Sequence, residues 1–249
     1  LQRSERLASM GALAAGVAHE VRNPLNTIGL IAQRLQREFE PRVGIDAYER
    51  MTATVRDEVK RVNRIVSEFL ALARPPQIEW QPVVTAELVA DAVAAVEARA
   101  AVQGLRLVVT AEDPGGLEGD RDQLLQVLQN LLNNAVDAMP EGGCLTFGSG
   151  IGGGEFDGFV AVYVQDTGIG MNAHQLERVF DPFFTTKEPN QGTGLGLSVS
   201  YGIAQDHDGH LVAASEPGKG SRFTLYLPCA GNGSDSQRPD EQRMKSQDV

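Results

Sequence analysis

The 249-residue chain has only two cysteines, Cys144 and Cys229. That is too few for a disulfide framework or a four-thiolate zinc site. No apolar run is long enough to span a bilayer, and no basic-then-apolar leader opens the sequence. Nothing matches the G-x-x-x-x-G-K-[S/T] phosphate loop, because Gly218-Lys219-Gly220-Ser221 does not fit it. A cytoplasmic fragment without a membrane segment is expected, and Leu1 in place of Met implies that an upstream portion is missing. Positive charge is also short, with 22 Lys+Arg against 33 Asp+Glu and a net charge of −11. Residues 1–76 carry 12 basic and 9 acidic side chains, whereas the remainder carries 10 and 24. An acidic C-terminal part argues against nucleic acid as a partner there. It also requires that any polyphosphate be held by metal, backbone N–H groups and a few placed cations.

What remains is an ordinary globular composition, 42% hydrophobic and 22% charged, long enough for one or two domains. Leu7, Ala14, Val21, Ile28 and Leu35 recur every seven residues, with Met10, Val17 and Ile31 at the complementary offset. Pro41 and Gly44 mark a turn, after which Tyr48, Val55, Val62 and Phe69 form a second stripe. Two long helices in an antiparallel hairpin follow, with too little core to stand alone. A homodimer closing a four-helix bundle is predicted.

Pro75-Pro76 ends the second helix, and Ile78–Pro82 reads as extended. Helices are expected over Glu87–Val102, Asp120–Met139 and Leu195–Asp206, the second with Leu124, Leu125, Val127, Leu128, Leu131 and Leu132 inward. Strands are expected over Leu105–Ala111, Leu145–Ser149, Phe159–Gln165, Leu211–Ser215 and Arg222–Leu227, with Gly148–Gly158 as a flexible hairpin between the second and third. The expected fold is multidomain. An all-α hairpin over 1–74 and a linker over 75–82 precede an α+β sandwich over 83–230, its mixed sheet covered on one face by three helices. Residues 231–249 are polar and read as a disordered tail.

Four constellations carry candidate chemistry. The first is His19-Glu20-Val21-Arg22-Asn23-Pro24-Leu25. With Val21 at heptad position a, His19 falls at f, away from the seam. Alone it would be a surface residue. Beside Glu20, and five residues before a helix-bending proline, it suits a nucleophile that meets a second domain. The second is Asn130-Leu-Leu-Asn133-Asn134-Ala-Val-Asp137. Helix interiors disfavour asparagine, so three within five positions are either a solvated face or amide oxygens aimed at a hydrated Mg²⁺.

The third is Asp166-Thr167-Gly168-Ile169-Gly170-Met171 at a strand end. It superficially matches a dinucleotide fingerprint, but no parallel βα unit follows. An Asp before a tight Gly turn can instead accept from an exocyclic amine. The fourth is Gly192-Thr193-Gly194-Leu195-Gly196, whose glycines admit a phosphate just where a helix presents its N–H groups. Between them, Phe180-Asp181-Pro182-Phe183-Phe184 suits a lid with aromatic anchors, and Lys187 supplies a cation. His207-Asp208-Gly209-His210 has metal-like spacing but no third ligand, so a helix-to-strand loop is expected.

In this order and spacing the segments resemble the catalytic core of a sensor histidine kinase. His19–Leu25 looks like its H box, Asn130–Asp137 its N box and Asp166–Gly170 its G1 box. Phe180–Phe184 and Gly192–Gly196 look like its F and G2 boxes. The Phe-Phe-Thr-Thr-Lys segment resembles the nitrogen-regulation type. Asp208 departs from the family, which usually has Gly there. The resemblance implies ATP and Mg²⁺ as cofactors, with Asp166 on the adenine amine and Asn134 and Asn130 holding Mg²⁺. Lys187, Gly192, Gly194 and Gly196 would hold the phosphates. Asp137, Gly168, Gly170, Thr193 and Leu195 would be further nucleotide-binding residues. It further implies autophosphorylation on His19 aided by Glu20, transfer to an Asp of a response-regulator receiver domain, and a phosphatase role for Asn23. The sensor would lie in the missing upstream portion, and the whole protein could sit at the inner membrane. The rival expectations are another ATPase of this nucleotide fold, such as a chaperone or topoisomerase, and a non-catalytic dimeric scaffold.

Overall fold

The structure is a computed structural model describing residues 21, 23, 25–39, 44–73, 77–112, 115–187 and 192–230. His19, Glu20, Pro24, the hairpin turn and the 231–249 tail lie outside the described residues. The chain divides into two compact units, one of residues 1–77 with 173–203, the other of residues 78–172 with 204–249.

In the first unit, helix α1 (residues 25–38) lies against helix α2 (Ile45–Ala73). Gly29 brings them close, since a Cβ there would stand 3.1 Å from Val59 Cγ1. Ala32 and Val59 are buried in the contact. The Asn63 amide donates to Asn26 Oδ1 at 3.3 Å, and Arg56 donates to Gln36 Oε1 at 3.1 Å. Along the rest of the seam Ile28, Ile31 and Leu35 face Tyr48, Met51 and Val55 across an apolar cavity of about 350 Å³. Ile28 is 46% exposed and Met51 62%. Two helices therefore leave the predicted seam half covered, as expected of a hairpin that needs further partners. The unit also holds α5 (Ala173–Arg178) and most of α6 (Gly196–Asp206).

The second unit has two sheets. Strands β1 (Gln81–Val84) and β3 (Gly116–Gly119) pair antiparallel. The larger sheet joins β2 (Leu105–Ala111), β4 (Gly143–Ile151), β5 (Phe159–Asp166), β6 (His210–Glu216) and β7 (Gly220–Pro228) in the order β2-β4-β5-β7-β6. Only β2 and β4 run parallel, so the sheet is mixed. Helices α3 (Thr85–Val102) and α4 (Arg121–Asp137) pack on it and on each other. Strand alternation sends Phe147, Val160, Val162, Val164, Leu225 and Leu227 into one core. That core meets Leu88 and Ala92 of α3 and Leu124, Leu128, Leu131 and Leu132 of α4.

Several expectations need correction. Leu125 is half-buried rather than core; Ala135 and Val136 are buried on α4 instead. The extended stretch before the first sheet-unit helix is Gln81–Val84, not Ile78–Pro82. The 148–158 segment forms the expected hairpin between β4 and β5, but β4 runs on to Ile151, two residues beyond its expected end, and a short 3-10 turn at Gly154–Phe156 closes it. Gly148 stays in the strand because Tyr163 and Thr110 converge there. A Cβ would lie 2.5 Å from Tyr163 Oη, and the two hydroxyls bond at 2.8 Å.

Candidate nucleotide site

Asp166 ends β5, paired with Leu145 in the sheet register, and is 3% exposed. The hydrogen bonds it accepts from Gly168 N (2.8 Å) and Ser221 N (3.2 Å) both land on Oδ1. Oδ2 takes neither. Burial pushes the carboxyl above the usual carboxylate range, and the two amides pull it only part of the way back. A desolvated carboxylate with one oxygen engaged by the turn and the other uncommitted to it suits recognition of an N–H donor.

The turn after Asp166 requires glycine because backbones meet there. A Cβ on Gly168 would stand 2.3 Å from Ala138 O, the carbonyl that accepts from Ile169 N at 3.1 Å. Gly170 has φ +64, and its Cβ would stand 2.0 Å from Glu216 O. Gly218 N donates to Ile169 O at 2.7 Å, and Met171 N to Ser215 Oγ at 2.8 Å. The turn is thus clamped between the end of α4 and the β6–β7 turn. Sequence reasoning found the glycines but missed Ala138, Ser215 and Ser221, whose roles only the pairing of distant strands reveals.

Asn130 and Asn134 lie one turn apart on α4, both half-buried. Their carboxamide oxygens are hard donors of the kind Mg²⁺ accepts. Asn133 has a different task, accepting from Arg99 at 3.0 Å and donating to Gln129 O. Asp137 forms an ion pair with the same Arg99. The solvated-face reading therefore accounts for Asn133, and Asp137 is committed to joining α4 to α3.

Within the first unit, Phe183 N donates to Gly194 O at 2.9 Å, with Phe183 at φ +65 and Gly194 at φ +69. A Cβ on Gly194 would meet Phe183 C at 2.5 Å. Phe180 lies 5.3 Å from the Tyr201 ring, and Arg178 stacks 4.8 Å over Phe184. Those two are the aromatic anchors, whereas Phe183 is 64% exposed. Gly192 runs close to Thr185 and Lys187, the latter half-exposed. Thr193 Oγ1 accepts from Leu195 N at 3.2 Å, a local turn just ahead of α6; the Leu195 side chain is buried. Leu195 thus offers a ligand no side chain.

His207 is buried, and its Nε2 accepts from Asp120 N at 3.0 Å. It lies in the turn between α6 and β6, as the loop reading expected, and there serves as a structural acceptor. Asp208 has φ +54, which explains how a turn that commonly takes Gly accommodates it. Asn23 is helical and exposed, with its carbonyl accepting from Thr27 at 3.1 Å.

Residues 9–77 match the His Kinase A (phospho-acceptor) domain, and residues 119–231 match the histidine kinase-, DNA gyrase B- and HSP90-like ATPase family. The chain belongs to the histidine kinase family. The N-terminal match separates this kinase core from other ATPases that share only the nucleotide fold. It is 42% identical to the sensor histidine kinase ZraS of Klebsiella oxytoca over 237 residues, 94% of this chain and 49% of that protein. It is 35% identical to sporulation kinase E of Bacillus subtilis, covering 97% of this chain and 31% of that one. The kinase core thus spans half the length or less of these relatives. In fold it resembles full-length ShkA in complex with AMPPNP, with TM-score 0.74 and 24% identity over 87% of this chain and 45% of that one. It also resembles ThkA in complex with response regulator protein TrrA, with TM-score 0.63 and 27% identity over 91% and 64%. Among the described residues no helix is long and apolar enough to cross a membrane.

Proposed function

We propose that this core binds MgATP, phosphorylates its own His19, and passes the phosphoryl group to an aspartate of a response-regulator receiver domain. The observation that carries the reading is the Asp166 turn. Its buried carboxylate keeps one oxygen for a donor such as the exocyclic amine of adenine, beside glycines that let backbone close around it. Asn134 and Asn130 would hold Mg²⁺ through their amide oxygens. Lys187 and the N–H groups of Gly192, Gly194 and Gly196 would hold the phosphates. When bound, MgATP supplies the γ-phosphoryl group with its charge partly neutralised. Glu20 would accept a hydrogen bond from one ring nitrogen of His19 and leave the other as nucleophile. A nitrogen–phosphorus bond forms at His19, the bond to the β-phosphate oxygen breaks, and ADP leaves. Asn23, exposed and four residues after His19 in the sequence, would align a water for hydrolysis of the regulator's aspartyl phosphate.

The half-covered seam of α1 and α2 supports a homodimer. A second hairpin would cover Ile28, Ile31 and Met51. We assign residues 1–74 to dimerisation and phosphoacceptance, 75–82 to the linker and 83–230 to ATP binding, with the 231–249 tail following. Incubation with labelled ATP tests the activity, and acid-labile, alkali-stable label is the expected product.

A further inference from the structure

Where the chain enters the sheet unit, three contacts hold it. Glu79 N donates to Asp120 Oδ2 at 3.2 Å. The Trp80 ring lies 5.4 Å from the His207 ring at an interplanar angle of 53°. Gln81 then pairs with Gly119 at the start of β1. The pieces share partners. Asp120 is the N-cap of α4: its Oδ1 accepts from Asp122 N and Gln123 N, each at 3.1 Å. Its Oδ2 takes the Gln123 side chain at 3.0 Å together with Glu79. Its own N–H reaches His207 Nε2. Gly119 makes room for that imidazole, since a Cβ would stand 2.8 Å from His207 Cδ2. One carboxylate therefore caps α4 and grips the entering backbone, and one imidazole orients that cap while carrying Trp80.

Trp80 differs from its supports. Asp120 and His207 are buried, whereas Trp80 is 40% exposed, with His207 as its ring partner. A ring this exposed is not a core residue, and Trp80 is not among the buried side chains of α4 or the sheet. Its contact lies within the segment 79–81 that joins the start of α4, the helix that carries Asn130 and Asn134. Phosphoryl transfer to a residue on another unit depends on orientation, because the reacting atoms must meet in line.

We propose that Trp80 is a positioning residue for autophosphorylation: by seating on His207 beside the Glu79–Asp120 bond, it holds the end of the linker in register with α4. This rests on the kinase reading above. The test compares the full chain with Trp80→Ala and Trp80→Phe, measuring the initial autophosphorylation rate over a range of ATP concentrations and, separately, nucleotide affinity. Trp80→Ala should lower the maximal rate about tenfold or more, with the KM for ATP and nucleotide affinity unchanged. Trp80→Phe, which keeps a ring on the imidazole, should restore most of the rate. An unchanged maximal rate in Trp80→Ala overturns the proposal. So does a loss that appears equally in nucleotide affinity, or one that Phe does not rescue. A wild-type chain that takes no label overturns the kinase reading and this proposal with it, whereas an active wild type with an equally active Trp80→Ala overturns only the positioning role.

Discussion

Asp166→Asn separates what the site does for the ligand from what it does to the fold. The substitution is isosteric, and the amide oxygen can still accept from Gly168 N and Ser221 N at the Oδ1 position. That orientation turns the Asn NH₂ to where Oδ2 stood, so a donor faces the adenine amine. Losing a hydrogen bond to a charged acceptor and burying an unmatched donor together cost about 3 kcal/mol, or roughly two orders of magnitude in affinity. Stability should move the other way. Burial raises the carboxyl's folded-state pKa, so its ionised form is disfavoured in the fold. The wild-type fold therefore loses stability as pH rises from the ordinary Asp value, about 4, through the raised one. Above that window Asp166→Asn should melt higher than wild type, and below it the two should converge. Calorimetric titration with nucleotide and thermal melts across that range measure both effects. Unchanged affinity refutes the base-recognition role, and a lower melting temperature at neutral pH refutes the burial argument.

Two further outcomes follow from the geometry. Gly170→Ala combines a left-handed backbone with a 2.0 Å approach to Glu216 O and should destabilise by about 2–4 kcal/mol. Gly153→Ala, with φ −130 and open space around it, should stay within about 0.5 kcal/mol, and denaturant melts of both check the contrast. Asn23→Ala should retain His19 phosphorylation but remove phosphate from a phospho-regulator at least about tenfold more slowly. Equal loss of both activities would instead mark Asn23 as a helix-end residue only.

The elements that could be read in advance were those with an uninterrupted apolar period. Leu105–Ala111, rich in β-branched and aliphatic residues, matches β2 to the residue, and α3 and α4 match within two residues at each end. The elements that escaped have little period to show. Strand β3 is Gly-Leu-Glu-Gly with Leu117 as its one apolar side chain, and α5 buries no residue. Gly150–Ile151 read as part of the hairpin turn rather than strand because Gly148 and Gly150 carry no pattern, yet Gly148 is what admits Tyr163. Site residues divided the same way. Asp166 and its turn were legible because strand, Asp and glycines are contiguous. The assignments of Asn133 and Asp137 to Arg99, and of His207 to Asp120, depend on partners 34 to 87 positions away. No local signal encodes such pairings.

The most direct measurement is incubation of the purified chain and of His19→Ala with γ-labelled ATP and Mg²⁺, followed by acid and alkali treatment. Wild type should carry label that acid removes and alkali spares. His19→Ala should carry none while binding nucleotide as tightly as wild type, because His19 lies in the hairpin rather than with the Asp166 turn. Acid-labile label persisting in His19→Ala, or an unlabelled wild type that still binds nucleotide, would contradict the account.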